Sequence, residues 1–259
     1  MLWAPTARGQ AHFDVMDRRG EILGWAAVGR VDTGNGFCTG TLIARSLVLT
    51  AAHCVFDARG RRLTPGRMRF RAGYHRGTAL ADRTVTRIAV SSGYRHTGDR
   101  KPNDTMIAND VALLALDRPI FATEADPFMV QQAPAKGTQV SVVSYGAGRE
   151  EVLSRERRCA LTGRYQGGIL AFDCDVTFGS SGAPVFVRQD GRFRILSVIS
   201  ASGSDADGTR TAFGMMLPDQ VAALRAELAR EEARPLVSEG ARRIGAGERA
   251  GTSARFVRP

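Results

Sequence analysis

Short runs of β-type residues, broken repeatedly by Gly, Pro, Asp and Asn, set the strongest limit on how this chain folds. WAAVGRV, FCTGTLI, SLVLT, RMRFRA, RTVTRIAV, DVALLAL, TQVSVVSY, ILAFDCDV, APVFV and RILSVIS succeed one another in this way, with helical periodicity mostly missing. The pattern predicts an antiparallel all-β protein of about ten or more strands. Such a count suits two barrels or a sandwich. The stretch ATEADPFMVQQAPAKG, residues 122–137, interrupts the strand texture with prolines and polar residues and divides the runs fairly evenly.

The end of the chain reads differently. PDQVAALRAELAREEARP places Val221, Leu224 and Leu228 at helical spacing behind Asp219 as N-cap, which predicts one closing amphipathic helix. After Pro235 large apolar residues become scarce, and a mobile tail is expected.

Charge narrows the partners. The chain carries 36 basic and 26 acidic side chains, a formal +10, and its lysines are Lys101 and Lys136 alone, so the basicity is nearly all arginine. Those arginines are scattered through turns and strands without a recognition helix or aromatic single-strand motif. A solvated basic surface is expected, with no nucleic acid as partner. No apolar stretch approaches the roughly 18 residues of a membrane span, and the start MLWAPTARGQ has no signal-peptide apolar core.

Cys38 with Cys54, and Cys159 with Cys174, form two local pairs without the Cys-x-x-Cys clamps of zinc sites. Two disulfides follow, and with them an oxidising compartment, secreted or periplasmic, whose leader was removed or never included. SDADGT, residues 204–209, hints at calcium but lacks the other ligands of such a loop and reads as a hairpin turn. No metal or other cofactor is expected.

The segment GSSGAP, Gly179 to Pro184, is by composition an ordinary turn. A serine there becomes a nucleophile if a base takes its proton and a third group holds that base. The histidines are His12, His53, His75 and His96, all ahead of Ser181, and no lysine follows Lys136. That order excludes an α/β-hydrolase elbow and a Ser-x-x-Lys mechanism. His53 ends the strand-like SLVLTAAHCV beside Cys54, and Asp110 opens the apolar NDVALLAL. Each taken alone reads as structural.

Together, CTGTLIARSLVLTAAHC, NDVALLALDRPI and GSSGAPVF, in that order, resemble the three signature segments of the chymotrypsin-like (trypsin-fold) serine proteases, from about Trp25 to Leu217. The resemblance implies two antiparallel β-barrels of six-stranded type, closed by the helix. Residues 1–130 would form the barrel carrying His53 and Asp110, 131–217 the barrel carrying Ser181, 218–234 the helix and 235–259 the tail. It implies Ser181 as nucleophile, His53 as general base and Asp110 as its orienting acid. The N–H groups of Gly179 and Ser181 would form the oxyanion hole. Cys38–Cys54 matches the family's disulfide beside the histidine, whereas Cys159–Cys174 is not the usual pairing of the animal enzymes.

Ser180 departs from the Asp that animal members use on activation, and GSSGAP is closer to bacterial ones. The resemblance places Asp175, Phe178, Ser200, Ser202 and Thr211 at the substrate pocket. Asp175, six before the nucleophile, favours cleavage after Arg or Lys, slightly ahead of small apolar residues, and Ile199, standing where glutamyl enzymes usually have a histidine, weakens an acidic preference. The expectation is a monomeric endopeptidase acting on protein or peptide substrates. Its alternatives are a catalytically silent protein of the same fold that binds an anionic partner, and an esterase with the same triad.

Overall fold

The computed structural model of the chain describes residues 13–96, 102–132, 135–204 and 210–233. Fourteen strands dominate them. The first half holds β2 (Val28–Asp32), β3 (Phe37–Ala44), β4 (Leu47–Thr50), β5 (Arg69–Ala72), β6 (Ala81–Val90) and β7 (Ala112–Leu116). These close into an antiparallel barrel in the order β2-β3-β4-β7-β6-β5. Alternation fills it: Val31, Leu42, Val48, Phe70, Val85 and Leu114 point into one core, all fully buried or nearly so.

The second half is an eight-stranded antiparallel sheet. Its members are β8 (Gln139–Ser144), β9 (Ser154–Arg164), β10 (Ile169–Phe172), β11 (Pro184–Gln189), β12 (Arg192–Val198), β13 (Ala201–Ser204), β14 (Arg210–Met215) and β1 (Phe13–Val15). It runs β12-β11-β8-β9-β10-β14-β13, with β1 added on β9. Among the described residues no backbone ladder closes it. The buried Ser197 hydroxyl instead links β12 to β14, donating to the Met215 carbonyl at 2.8 Å while accepting the Met215 N–H at 2.9 Å.

Three observations differ from the sequence reading. Residues 13–15 were expected in the first barrel, yet β1 pairs with β9 of the second sheet, and Met16 behind it is buried in the core shared by both halves. No helix is expected ahead of the closing one, yet the stretch before Asp110 contains the helix α2 (Asp104–Asn109): Asn103 caps it by accepting the Met106 N–H at 2.9 Å, and Met106, Ile107 and Ala108 are buried. The closing helix α3 (Pro218–Glu232) starts at Pro218 rather than behind Asp219, because proline at the first helical position gives up a donor that has no intrahelical partner there. A further one-turn helix, Arg19–Ile22, follows β1. The expected tail, 235–259, lies outside the described residues.

Helix α3 buries Val221, Leu224 and Leu228 against β6 and β7 of the first barrel. The Arg87 guanidinium donates to the Leu228 carbonyl at 2.7 Å, and the Gln220 amide donates to the Ala108 carbonyl at 2.7 Å. Helix α3 thus straps back onto the half that carries His53 and Asp110.

Candidate active site

His53 sits in the short 3-10 turn Ala52–Val55 that ends β4, and the bond from Cys54 to Cys38 on β3 anchors that turn. Asp110 caps the C-terminus of α2 at the entrance to β7 and is 3% exposed. Its carboxylate accepts three hydrogen bonds. The His53 N–H reaches Oδ1 at 2.8 Å, the His53 ring Nδ1 reaches Oδ2 at 2.7 Å, and the Ser200 hydroxyl reaches Oδ2 at 2.6 Å. Since the carboxylate is an acceptor, Nδ1 carries the proton and Nε2 is left with its lone pair. Burial is the largest influence on the imidazole and pushes its pKa down, but the charge and hydrogen bond of Asp110 together outweigh it and leave the pKa raised.

Ser181 stands on two linked turns. The Ser180 N–H donates to the Thr177 carbonyl and the Ala183 N–H to the Ser180 carbonyl, at 3.0 and 2.9 Å. The third residue of each is a glycine at positive φ, Gly179 at 87° and Gly182 at 74°. A Cβ on Gly179 would lie 2.2 Å from the Tyr145 carbonyl oxygen, and one on Gly182 2.2 Å from Thr50 Oγ1. Gly179, Ser181 and Gly182 are further held from the neighbouring strands. Thr39 of β3 donates its hydroxyl to the Gly179 carbonyl at 2.7 Å and its N–H to the Ser181 carbonyl at 2.9 Å. The N–H groups of Gly179 and Ser181 donate to no described residue.

The Ser181 hydroxyl makes no hydrogen bond to a described residue, but Ser181 and His53 line one cleft of about 750 Å³. Its walls include Cys174, Val176, Phe178, Ser202, Arg210 and Thr211. Of the residues expected at the substrate, Phe178, Ser200, Ser202 and Thr211 lie there, with Phe178 92% exposed. Ser200 has a second task, since its hydroxyl is bound to Asp110.

Asp175, expected at the pocket base, is not among the residues that line the cleft, although its neighbours Cys174 and Val176 are. Its carboxylate pairs with Arg210 at 2.6 Å and its N–H donates to Glu156 Oε2 at 2.8 Å. Residues 173–177 are not in a strand, so strand alternation does not set their facing. Ser180 is buried, and its hydroxyl meets that of Ser144 at 3.1 Å. Cys159 is joined to Cys174 behind the pocket wall. Among the described residues, the two groups dense enough in Cys, His and acid to suggest a metal each take both sulfurs from a disulfide, and no thiolate remains to ligate.

A protein-family model, the trypsin-like peptidase domain, matches residues 38–194, more than half of the chain. The chain belongs to the trypsin-like peptidase family. By that membership it is a serine endopeptidase, a hydrolase acting on protein substrates. Solved structures of similar fold include a Glu endopeptidase, 22% identical with a TM-score of 0.67 over 87% of this chain and 99% of that one. The thermostable serine protease AL20 of an extremophilic microorganism is 19% identical, with a TM-score of 0.63 over 80% and 99%. The protease Anisep of Arthrobacter nicotinovorans is 20% identical, with a TM-score of 0.62 over 79% and 96%. The family's two-part β architecture is the one described above.

Sequence reasoning missed Thr39, Tyr145 and Arg210. The first two carry no catalytic signal, being a strand threonine and a strand-end tyrosine that reach the serine loop through folding. Arg210 was one arginine among many.

Proposed function

We propose that this trypsin-like peptidase cleaves peptide bonds by acyl transfer through Ser181, His53 and Asp110. His53 Nε2 takes the Ser181 proton as Oγ attacks the scissile carbonyl, and the tetrahedral oxyanion accepts hydrogen bonds from the N–H groups of Gly179 and Ser181. Collapse expels the amine, which receives the proton from His53. Water, deprotonated in turn by His53, then frees the acid and regenerates the serine. Asp110 holds the tautomer and offsets the imidazolium charge. The observation that supports this most is the three-donor cradle of Asp110 beneath His53, in the same cleft as Ser181.

The two disulfides are consistent with a working enzyme outside the reducing cytosol, and they support a secreted or periplasmic location. The buried Ser180–Ser144 contact occupies the position where an activation-linked carboxylate would stand, so no freed amino terminus is needed to assemble the site. The direct test is hydrolysis of a casein substrate. Ser181→Ala is expected to lower kcat by about a million-fold, and a variant that kept a tenth of the wild-type rate would overturn the assignment.

A further inference from the structure

The pocket beside Ser181 has two walls. One is segment 174–178; the other is β13 with the start of β14. An ion pair ties them together, Arg210 Nη1 to Asp175 Oδ1 at 2.6 Å. The two partners are not equivalent. Asp175 lies off the cleft, its peptide N–H bound to Glu156 behind the wall, whereas Arg210 lines the cleft with 63% of its side chain exposed.

A guanidinium has five N–H donors, and Asp175 accepts from one nitrogen of it, Nη1. The remaining donors can serve a second acceptor. On the same wall, Ser202 and Thr211 offer hydroxyls. Among the described lining residues the carboxylate is that of Asp110, and His53 and Ser200 already occupy both its oxygens. Among the described residues the pocket therefore presents a cation held by Asp175 and hydroxyl donors, and no carboxylate free to meet a basic side chain.

We infer that Arg210 is a specificity residue which binds the carboxylate of an acidic substrate side chain on the acyl side of the cut, with Asp175 fixing its guanidinium. The inference rests on the Ser181 chemistry proposed above and replaces the expected preference for Arg or Lys. It assigns the selecting charge to β14, because Ile199 supplies no cation. Asp175 offsets part of the arginine's charge, so its contribution is orientation. A fork already pinned at Nη1 loses less freedom when its other donors are occupied.

The test uses peptide p-nitroanilides identical except for a final Glu, Gln, Ala or Arg, with active enzyme counted by a serine-directed phosphonate. Wild type is expected to favour Glu over Gln by about tenfold or more in kcat/KM. Arg210→Ala and Arg210→Gln should bring that ratio close to one, chiefly through KM. Asp175→Asn, which frees the arginine's charge, should keep the Glu preference or enlarge it. An unchanged Glu-to-Gln ratio in both Arg210 variants overturns the assignment, as does a wild-type preference for Arg that Asp175→Asn abolishes. Phosphonate uptake without Glu hydrolysis overturns the Arg210 assignment and leaves the Ser181 reading standing. Failure of both labelling and hydrolysis overturns the two together.

Discussion

Asp110 shows how much of a site can rest on one carboxylate. At 3% exposure its carboxylate has three hydrogen-bond donors around it, as a buried charge requires. That charge raises the His53 pKa above the ordinary 6.5 against the opposing effect of burial. The sign of the activity profile follows. His53 acts as base when neutral, so kcat/KM should climb with pH through an inflection above 6.5 and then level. Initial rates from pH 5 to 9 measure this, and a flat profile would contradict the role of His53. The three residues proposed as the triad were legible because each lies in a short local signature. Arg210 and Thr39 were not, since their roles depend on which distant segment they meet. Asp175 was placed by its offset of six from the nucleophile, and that offset does not say which side chain its carboxylate meets; it meets Arg210 from β14.

The elements the sequence hid are those whose polar residues are satisfied from elsewhere. Strand β9 alternates arginines with its buried positions, which breaks the apolar pattern. Yet the Arg155 guanidinium lies 4.8 and 4.7 Å from the ring centres of Trp25 and Phe193, and Glu156 is buried under segment 173–175. The N-terminal arm has the same character: the Phe13 ring lies under the Arg149 guanidinium, 3.6 Å away, and Met16 donates its N–H to the Leu153 carbonyl at 2.8 Å. Trimming the chain back to Gly24 would thus remove a paired strand and the buried Met16 and Ile22.

Burial, reinforced by the charges of Asp175 and Asp173, pushes Glu156 up to about 7 against the opposing Asp175 N–H and Arg149. Between roughly 4.5 and 7 the folded chain then holds a proton that the unfolded chain releases, so Glu156 lowers stability as pH rises through that window. Glu156→Gln keeps an oxygen for the Asp175 N–H and removes the titration. Its Tm should exceed that of wild type by about 3 °C at pH 8 and converge with it near pH 4.5. An equal difference at both pH values in thermal scans would remove Glu156 from this role.

Across the whole molecule, the two halves share one core. Val28, Leu49 and Leu113 of the barrel pack with Val143, Phe186 and Ile195 of the sheet, and Leu224 of α3 joins them. Trp25, Phe128, Phe186 and Phe193 form an aromatic cluster across the same seam, with ring centres 4.6 to 6.2 Å apart. Thr39 crosses the seam by hydrogen bonds, so the serine loop is referenced to the half that holds His53 and Asp110. The division into two β halves with a closing helix was legible because turn residues punctuate the strands. That β12 and β14 meet through the Ser197 hydroxyl rather than through a ladder among the described residues was not, because a lone strand serine gives no such signal. Many of the arginines behind the +10 charge are matched locally, as in Arg30–Asp32, Arg69–Asp82 and Arg83–Glu124.

The central claim is that this fold brings Ser181 under the control of His53. A fluorescent serine-directed phosphonate, followed by peptide mapping, measures that most directly. The account predicts one label per chain, on Ser181, with labelling lost in Ser181→Ala and slowed by at least about a hundredfold in His53→Ala. Label on another serine, or equal labelling of wild type and His53→Ala, would contradict it.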